Sequence, residues 1–292
     1  MSEKKNVLHV YGSPSDLKEQ SLGLGVAQRI LGFTDREYNG SSVNFFDVTL
    51  SADRNRGELN SLLSLGWDVG VGGAGLVNLL ASAMQGYCKV VIGVPLGKEG
   101  YQLSSAVSLL DKAPGSPIGV VPSNASDVAV NLALNIALHD YQIFSDDSKG
   151  ILNSYNINFS KLCFDDWLNY FKGEILPDYS LIILDIDDPK RLSAYEKVIP
   201  SNSIIIAYND HKFLDENWPV FVESMSGLRK TLFVGNGRIE NAFNLAVQVK
   251  SIHNSFILDK LINKRNSEKL EKYGSEISRV EDYLLTKGGD IN

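Results

Sequence analysis

A chain of 292 residues with 43% hydrophobic and 22% charged residues has the composition of a folded globular protein, long enough for two domains of ordinary size. Its formal net charge of −7 (28 Lys plus Arg against 35 Asp plus Glu) argues against a general nucleic-acid surface, yet permits a local phosphate site built from backbone N–H groups. Two distant cysteines, Cys88 and Cys163, lack metal-ligand spacing, the N-terminal stretch lacks the apolar run of a signal peptide, and no window reaches the roughly 18 apolar residues of a membrane helix; the expectation is a reduced, cytoplasmic protein with neither metal nor membrane partner.

In chain order, Val7 to Tyr11 is a β-rich run ending at Gly12. The polar turn Ser13-Pro14-Ser15-Asp16 follows, then a helical stretch from Leu17 to Leu31. Val43 to Val48 is a second strand, ending at Ser51-Ala52-Asp53-Arg54, and Glu58 to Leu65 a helix. Trp67 to Val71 leads into the glycine cluster Gly70-Val71-Gly72-Gly73-Ala74-Gly75, with a helix expected from Val77. Val90 to Val94 is a strand closed by Pro95, and Ile118 to Val121 a strand followed by a helix from Ala125 to Leu138. Residues 145–176 are less regular and begin with the turn-rich Ser145 to Gly150, which reads as a linker. A second α/β half follows, with strands at Tyr179 to Leu184, Ser203 to Tyr208 and Thr231 to Val234, and helices at Pro189 to Val198 and from Ile239 onward. A charged, amphipathic helical tail continues beyond Lys264 and suits packing against another domain or copy.

Strands separated by helices predict a three-layer αβα fold with a mainly parallel sheet, whose ligands bind outside the carboxyl ends of the strands. The segments Val121 to His139 and Val234 to His253 share a strand end, a small polar turn and a helix with an Asn-Leu-Ala core, as expected of one unit used twice. The domains are therefore read as 1–144, a linker over 145–176, and a second, degenerate copy over 177–292.

Three turns at strand ends carry candidate chemistry. In the first, Gly12 permits a sharp turn, the hydroxyls of Ser13 and Ser15 precede a helix N-terminus suited to an anion, and Asp16 can accept from ribose hydroxyls; a plain helix cap made by Ser15 or Asp16 is the alternative. In the second, Arg54 can pair with a phosphate and Asp53 can move a proton if burial raises its pKa, against the alternative of an exposed ion pair. In the third, four glycines in six residues permit close approach to a ligand, or alternatively tight packing; the spacing fits neither the P-loop nor the dinucleotide fingerprint. Of the four histidines, His9 reads as a core residue, His139 and His253 as helix-end residues, and His211 alone follows a strand in a site-like position.

These turns, in this order, resemble the PurE family of aminoimidazole ribonucleotide carboxylases and mutases over residues 6–140. Gly12-Ser13-Pro14-Ser15-Asp16 resembles its Gly-Ser-x-Ser-Asp, Ser51-Ala52-Asp53-Arg54 its Ser-Ala-His-Arg, and Gly72-Gly73-Ala74-Gly75-Leu76 its Gly-Gly-Ala-Ala-His; Ile92-Gly93-Val94-Pro95 and Ala113 to Gly119 resemble later strand-end segments. The resemblance implies a flavodoxin-like sheet, no metal or organic cofactor, and a small-molecule partner, an aminoimidazole ribonucleotide. It implies that Ser13, Ser15 and Arg54, with Gly12 and Ser51 beside them, hold the phosphate. Asp16 then holds the ribose, and Gly72, Gly73, Ala74 and Gly75 cover the carboxylate pocket. Because family members are octamers with sites between subunits, it further implies a homo-oligomer, a tetramer of tandem chains.

Two departures bear on activity. Asp53 stands at the position of one family histidine and Leu76 at the other. Aspartate is only a base near neutral pH unless its pKa rises by several units, and leucine transfers no proton. Three expectations follow: a carboxylase or mutase using Asp53, a non-catalytic nucleotide-binding or regulatory homologue, or a related lyase or mutase on another carboxylated substrate.

Overall fold

The computed structural model describes residues 4–40, 42–50, 56–75, 78–97, 101–112, 117–145, 150–161, 176–186, 189–209, 218–235 and 239–267. In the first half the elements run β1 (Lys5–Tyr11), α1 (Leu17–Leu31), β2 (Glu37–Asn39), β3 (Val43–Thr49), α2 (Arg56–Leu63), β4 (Trp67–Gly75), α3 (Leu79–Met84), β5 (Cys88–Leu96), α4 (Tyr101–Leu110), β6 (Gly119–Val120) and α5 (Ser126–Leu138). In the second they run β7 (Gln142–Ser145), α6 (Ile151–Ser154), β8 (Phe159–Lys161), β9 (Ser180–Asp185), α7 (Pro189–Val198), β10 (Ile204–Tyr208), α8 (Trp218–Ser224), β11 (Thr231–Phe233) and α9 (Ile239–Ser251). The chain breaks after α9 and is helical again over residues 255–267.

All these strands join one 11-stranded sheet in the order β2-β3-β1-β4-β5-β6-β11-β10-β9-β7-β8. Pairing is parallel within each half, apart from the edge strand β2. Read outward from the middle, β6-β5-β4-β1-β3 and β11-β10-β9-β7-β8 are the same flavodoxin-like order met twice. The halves meet where β6 and β11 pair antiparallel, Val120 opposite Phe233. The repeat holds in detail at this seam. The Val121 N–H donates to the Gly93 carbonyl at 3.2 Å, and its counterpart Val234 N–H donates to the Ala207 carbonyl at 3.0 Å.

Residues 145–176, expected as an irregular linker, contain structure that belongs to this sheet. β8 lies within them and pairs with β7, Ile143 opposite Phe159, while β7 pairs with β9. β7 and β8 are therefore the first two strands of the second copy. Strands of three and four residues are too short to show an alternation of apolar side chains.

Helices cover both faces, so the inner strands are apolar on both sides. Along β10, Ile204, Ile206 and Tyr208 enter one core with α5 and α9, while Ile205 and Ala207 enter the other with α7 and α8. Along β1, Val7 and Tyr11 face the first core and Leu8 and Val10 the second. His9, read as a core residue, is fully buried on the first face, its Nδ1 2.7 Å from Asp47 Oδ1. Gln20 donates to the same oxygen at 2.9 Å, and Arg36 Nε lies 3.3 Å from Asp47 Oδ2, so the buried carboxylate is compensated.

The space for the imidazole comes from Gly23 on α1. A Cβ there would stand 2.8 Å from His9 Cε1 and Nε2 and 2.9 Å from Val130 Cγ2. Gly25, on the same helix, has nothing within 4 Å of the corresponding position. Gly23→Ala is expected to cost about 1–3 kcal/mol by overpacking. Gly25→Ala is expected to gain up to about 1 kcal/mol through the lost freedom of the unfolded chain. Urea unfolding of both variants checks the pair, and equal effects would contradict this packing.

Candidate functional site

The first-half strands β1, β4, β5 and β6 are parallel, so the chain segments leaving their carboxyl ends form one edge of the sheet. The order reverses between β1 and β4, the place where open α/β sheets form a ligand crevice. There the Gly12 N–H donates to the Gly73 carbonyl at 3.0 Å, and a Cβ on Gly12 would touch the Ala74 side chain at 3.4 Å. Glycine at this position lets the β1 turn lie directly against the end of β4.

After Gly12, Ser13 caps a single 3-10 turn, Pro14–Asp16, its hydroxyl accepting from the Ser15 N–H at 3.0 Å. The cap is thus made by Ser13 and not by Ser15 or Asp16, the residues expected to make it. Ser15 bonds its hydroxyl to that of Ser13 and remains exposed; Asp16, at the start of α1, makes no side-chain capping bond. Burial raises the Asp16 carboxyl above the usual carboxylate range, with hydrogen bonds from Ser15 and Ser13 opposing the shift. Burial raises Glu19 as well; Lys18 lowers it, and Asp127 adds to the rise.

The glycine cluster lies mostly inside the sheet. Gly70, Gly72 and Gly73 are buried within β4, and the absent side chains make room for other groups. A Cβ on Gly70 would meet Met84 Cε at 2.5 Å, one on Gly72 the Ala81 backbone at 3.2 Å, and one on Gly73 the Tyr11 ring at 2.5 Å. Tight packing, the alternative weighed for this cluster, accounts for these three. Ala74 and Gly75 are half-exposed at the strand end; the Ala74 carbonyl accepts from the Ser105 hydroxyl at 2.8 Å. Helix α3 starts two residues after Val77, capped by buried Asn78, which accepts from the Ala81 N–H at 3.1 Å. The Asn78 amide also donates to the carbonyls of Gly72 and Val94, both at 3.2 Å, tying β4 to β5.

Sequence reasoning passed over the rest of the rim. Tyr11 donates its buried hydroxyl to Ser126 at the start of α5, and burial drives its pKa upward. Asn124, in the turn after β6, holds φ +54°, a left-handed conformation that asparagine tolerates better than most residues. Its N–H donates to the Pro95 carbonyl at 2.9 Å; its side chain accepts from the Gly97 N–H at 3.3 Å and donates to the Gly97 carbonyl at 3.2 Å. Beside it, Ser123 donates to Glu223 Oε1 at 2.6 Å, a residue of the second half. Pro122-Ser123-Asn124 was readable as a turn, but nothing in the sequence brings Glu223 to it.

Ser51, Asp53, Arg54, Leu76 and His211 lie outside the described residues. The residue before Ser51, Leu50, donates its N–H to the Tyr11 carbonyl at 2.8 Å beside the β1 turn. His139 stacks on Tyr179 with ring centroids 4.0 Å apart, and the His253 Nε2–H donates to the Ile136 carbonyl at 2.9 Å; both hold helix ends. Cys88 is buried, its thiol pushed up to about 12 by burial and then by Asp68, which keeps it unreactive. Among the described residues, no group of three or more His, Cys, Asp or Glu is placed to hold a metal ion, and no helix is long and apolar enough to cross a membrane.

The fold defines a flavodoxin-like α/β protein whose first half has its switch point between β1 and β4, the position where such sheets bind ligands. No family model and no curated protein matches the sequence. A solved structure of LpoA from Haemophilus influenzae, in a monoclinic crystal form, is similar at 12% identity over 88% of this chain and 52% of that one, with a TM-score of 0.21. The chain spans about half the length of that protein, and so low a score carries no argument about fold or function.

The raised carboxyl of Asp16 makes a signed prediction. The folded state binds its proton more tightly than the unfolded state, so this group's contribution to stability is present below the ordinary aspartate value, about 3.9, and is lost as pH rises through the raised one. Asp16→Asn removes that loss. Thermal melts are expected to show the variant gaining stability relative to the native chain between pH 4 and pH 7, and a constant difference would contradict it.

Proposed function

We propose that the chain binds a ribonucleotide monophosphate of the aminoimidazole type in the crevice at the ends of β1, β4, β5 and β6, its phosphate at the Gly12 to Asp16 turn. The observation that carries this reading is the placement of that turn. It stands at the β1/β4 switch point, leads directly into the 15-residue helix α1, and keeps the Ser15 hydroxyl and the Asp16 carboxyl out of capping duty. Arg54 supplies the positive charge, and the ordered resemblance to the PurE turns selects an aminoimidazole ring over other bases. A net charge of −7 is no obstacle, because the helix N-terminus and backbone N–H groups bind an anion locally.

Carboxyl transfer or carboxylation of the bound ring, with Asp53 in the family histidine's place, is the catalytic form of the same reading. The protein then acts in purine biosynthesis as a lyase or isomerase without a cofactor. The repeat also fits a tetramer of tandem chains in the cytoplasm.

Titration calorimetry with aminoimidazole ribonucleotide tests the binding. Ser15→Ala, which removes no helix cap, and Arg54→Ala are each expected to weaken affinity about tenfold, the loss of one hydrogen bond to a charged group. Unchanged affinity in both variants contradicts a phosphate at this turn. Any turnover by the native chain, with the carboxyamino substrate or with bicarbonate, is expected to vanish in Asp53→Asn.

A further inference from the structure

The rim of the crevice can be followed contact by contact into the second half. The Gly12 N–H on the Gly73 carbonyl joins the β1 turn to β4, Gly75 pairs with Leu96 across β4 and β5, and Asn124 clamps Gly97 and Pro95 to join β5 to the β6 turn. The next contact along is Ser123 with Glu223, at 2.6 Å across 100 residues of sequence. Glu223 lies in α8, the helix that precedes β11. Because β11 runs antiparallel to β6, the chain enters β11 at the sheet edge where it leaves β6. The seam thus delivers a second-half carboxylate to the first half's ligand edge.

We propose that Glu223 is a specificity-determining residue of the crevice, accepting a hydrogen bond from an amino group on the ligand's heterocycle. This rests on the reading of the crevice as a nucleotide site. Neighbouring strands lie about 4.8 Å apart, so the three steps from β1 to β6 span about 14 Å. A nucleotide held by its phosphate at β1 and laid along the strand ends toward β6 brings its ring over β5 and its ring substituents toward Glu223. A carboxylate accepts about four hydrogen bonds, so the hydroxyl and the backbone of Ser123 together leave acceptor capacity for a ligand N–H. The turn is built to hold this arrangement, with Asn124 kept left-handed by bonds to both sides of Gly97. Burial raises the Glu223 carboxyl above its ordinary value although hydrogen bonds from both the side chain and the backbone of Ser123 lower it.

The test compares two probes in calorimetry: aminoimidazole ribonucleotide, which carries the amino group, and ribose 5-phosphate, which lacks the ring. The native chain is expected to prefer the nucleotide. Glu223→Gln is expected to weaken nucleotide binding about tenfold, leave ribose 5-phosphate unchanged and retain the native melting temperature. Ser123→Ala, which frees the carboxylate without removing it, is expected to keep the preference for the nucleotide. Equal loss of both probes in Glu223→Gln, or loss of neither, overturns the role of Glu223 while leaving the phosphate site standing. A native chain that binds neither probe overturns the nucleotide reading, and this inference with it.

Discussion

The antiparallel junction of β6 with β11 is the constraint on which the rest of the architecture depends. It is a narrow seam, Val120 opposite Phe233, backed by close packing at Gly119, where a Cβ would stand 3.2 Å from Leu232 Cδ1 and Leu245 Cδ2. Two copies of a parallel unit each leave their fifth strand as an open edge, and an exposed edge invites pairing with another chain. Joining the two edges removes that liability and continues the sheet across both halves. The same pairing has a chemical consequence, because antiparallel strands bring opposite ends to the same edge of the sheet. The edge formed by the carboxyl ends of the first half's strands is therefore flanked by the elements that enter β11.

Around the crevice, electrostatics and packing act in opposite directions. Asp16, Glu19 and Glu223 are partly buried, and desolvation raises all three, so the protein maintains anionic groups near the place proposed for an anionic ligand. Neutral donors can reconcile this. In the proposed reading a phosphate takes neutral donors, the Ser15 hydroxyl and N–H groups of α1 beyond Leu17, whose own N–H donates to the Pro14 carbonyl, and carboxylates suit the hydroxyl and amino groups of the remainder of a nucleotide. Away from the crevice, two buried carboxylates, Glu196 and Asp47, are held by neighbouring donors. Glu196 accepts from the N–H groups of Arg229 and Lys230 at 2.9 and 2.6 Å and anchors the entry to β11, and Asp47 is held by His9 and Gln20.

Much of this fold was legible in the chain. The apolar runs at Val7 to Tyr11, Val90 to Val94 and Ser203 to Tyr208 are strands because both faces of the sheet are covered, and the repeat at Val121 and Val234 predicted equivalent positions that bond equivalently. Local pattern failed where the deciding contact is distant. Four glycines read as a ligand loop from composition alone, whereas Met84, Ala81 and Tyr11, reached only in three dimensions, fill the space beside β4. Strands β7 and β8 are too short for periodicity, and α8 was hidden because Trp218-Pro219-Val220-Phe221-Val222 reads as neither a clean helix nor a strand. Of the candidate site, the β1 turn was visible as a motif; the Asn124 clamp on Pro95 and Gly97 was not, since it depends on contacts 27 or more residues away, and the approach of Glu223 depends on the seam.

The most direct test of the account is a crystal of the full chain soaked with aminoimidazole ribonucleotide. The account predicts phosphate density at the Ser13 to Asp16 turn, against the first amides of α1, with the ring lying toward β5. Density that places the nucleotide elsewhere, or a crevice that stays empty at saturating concentration, would contradict it.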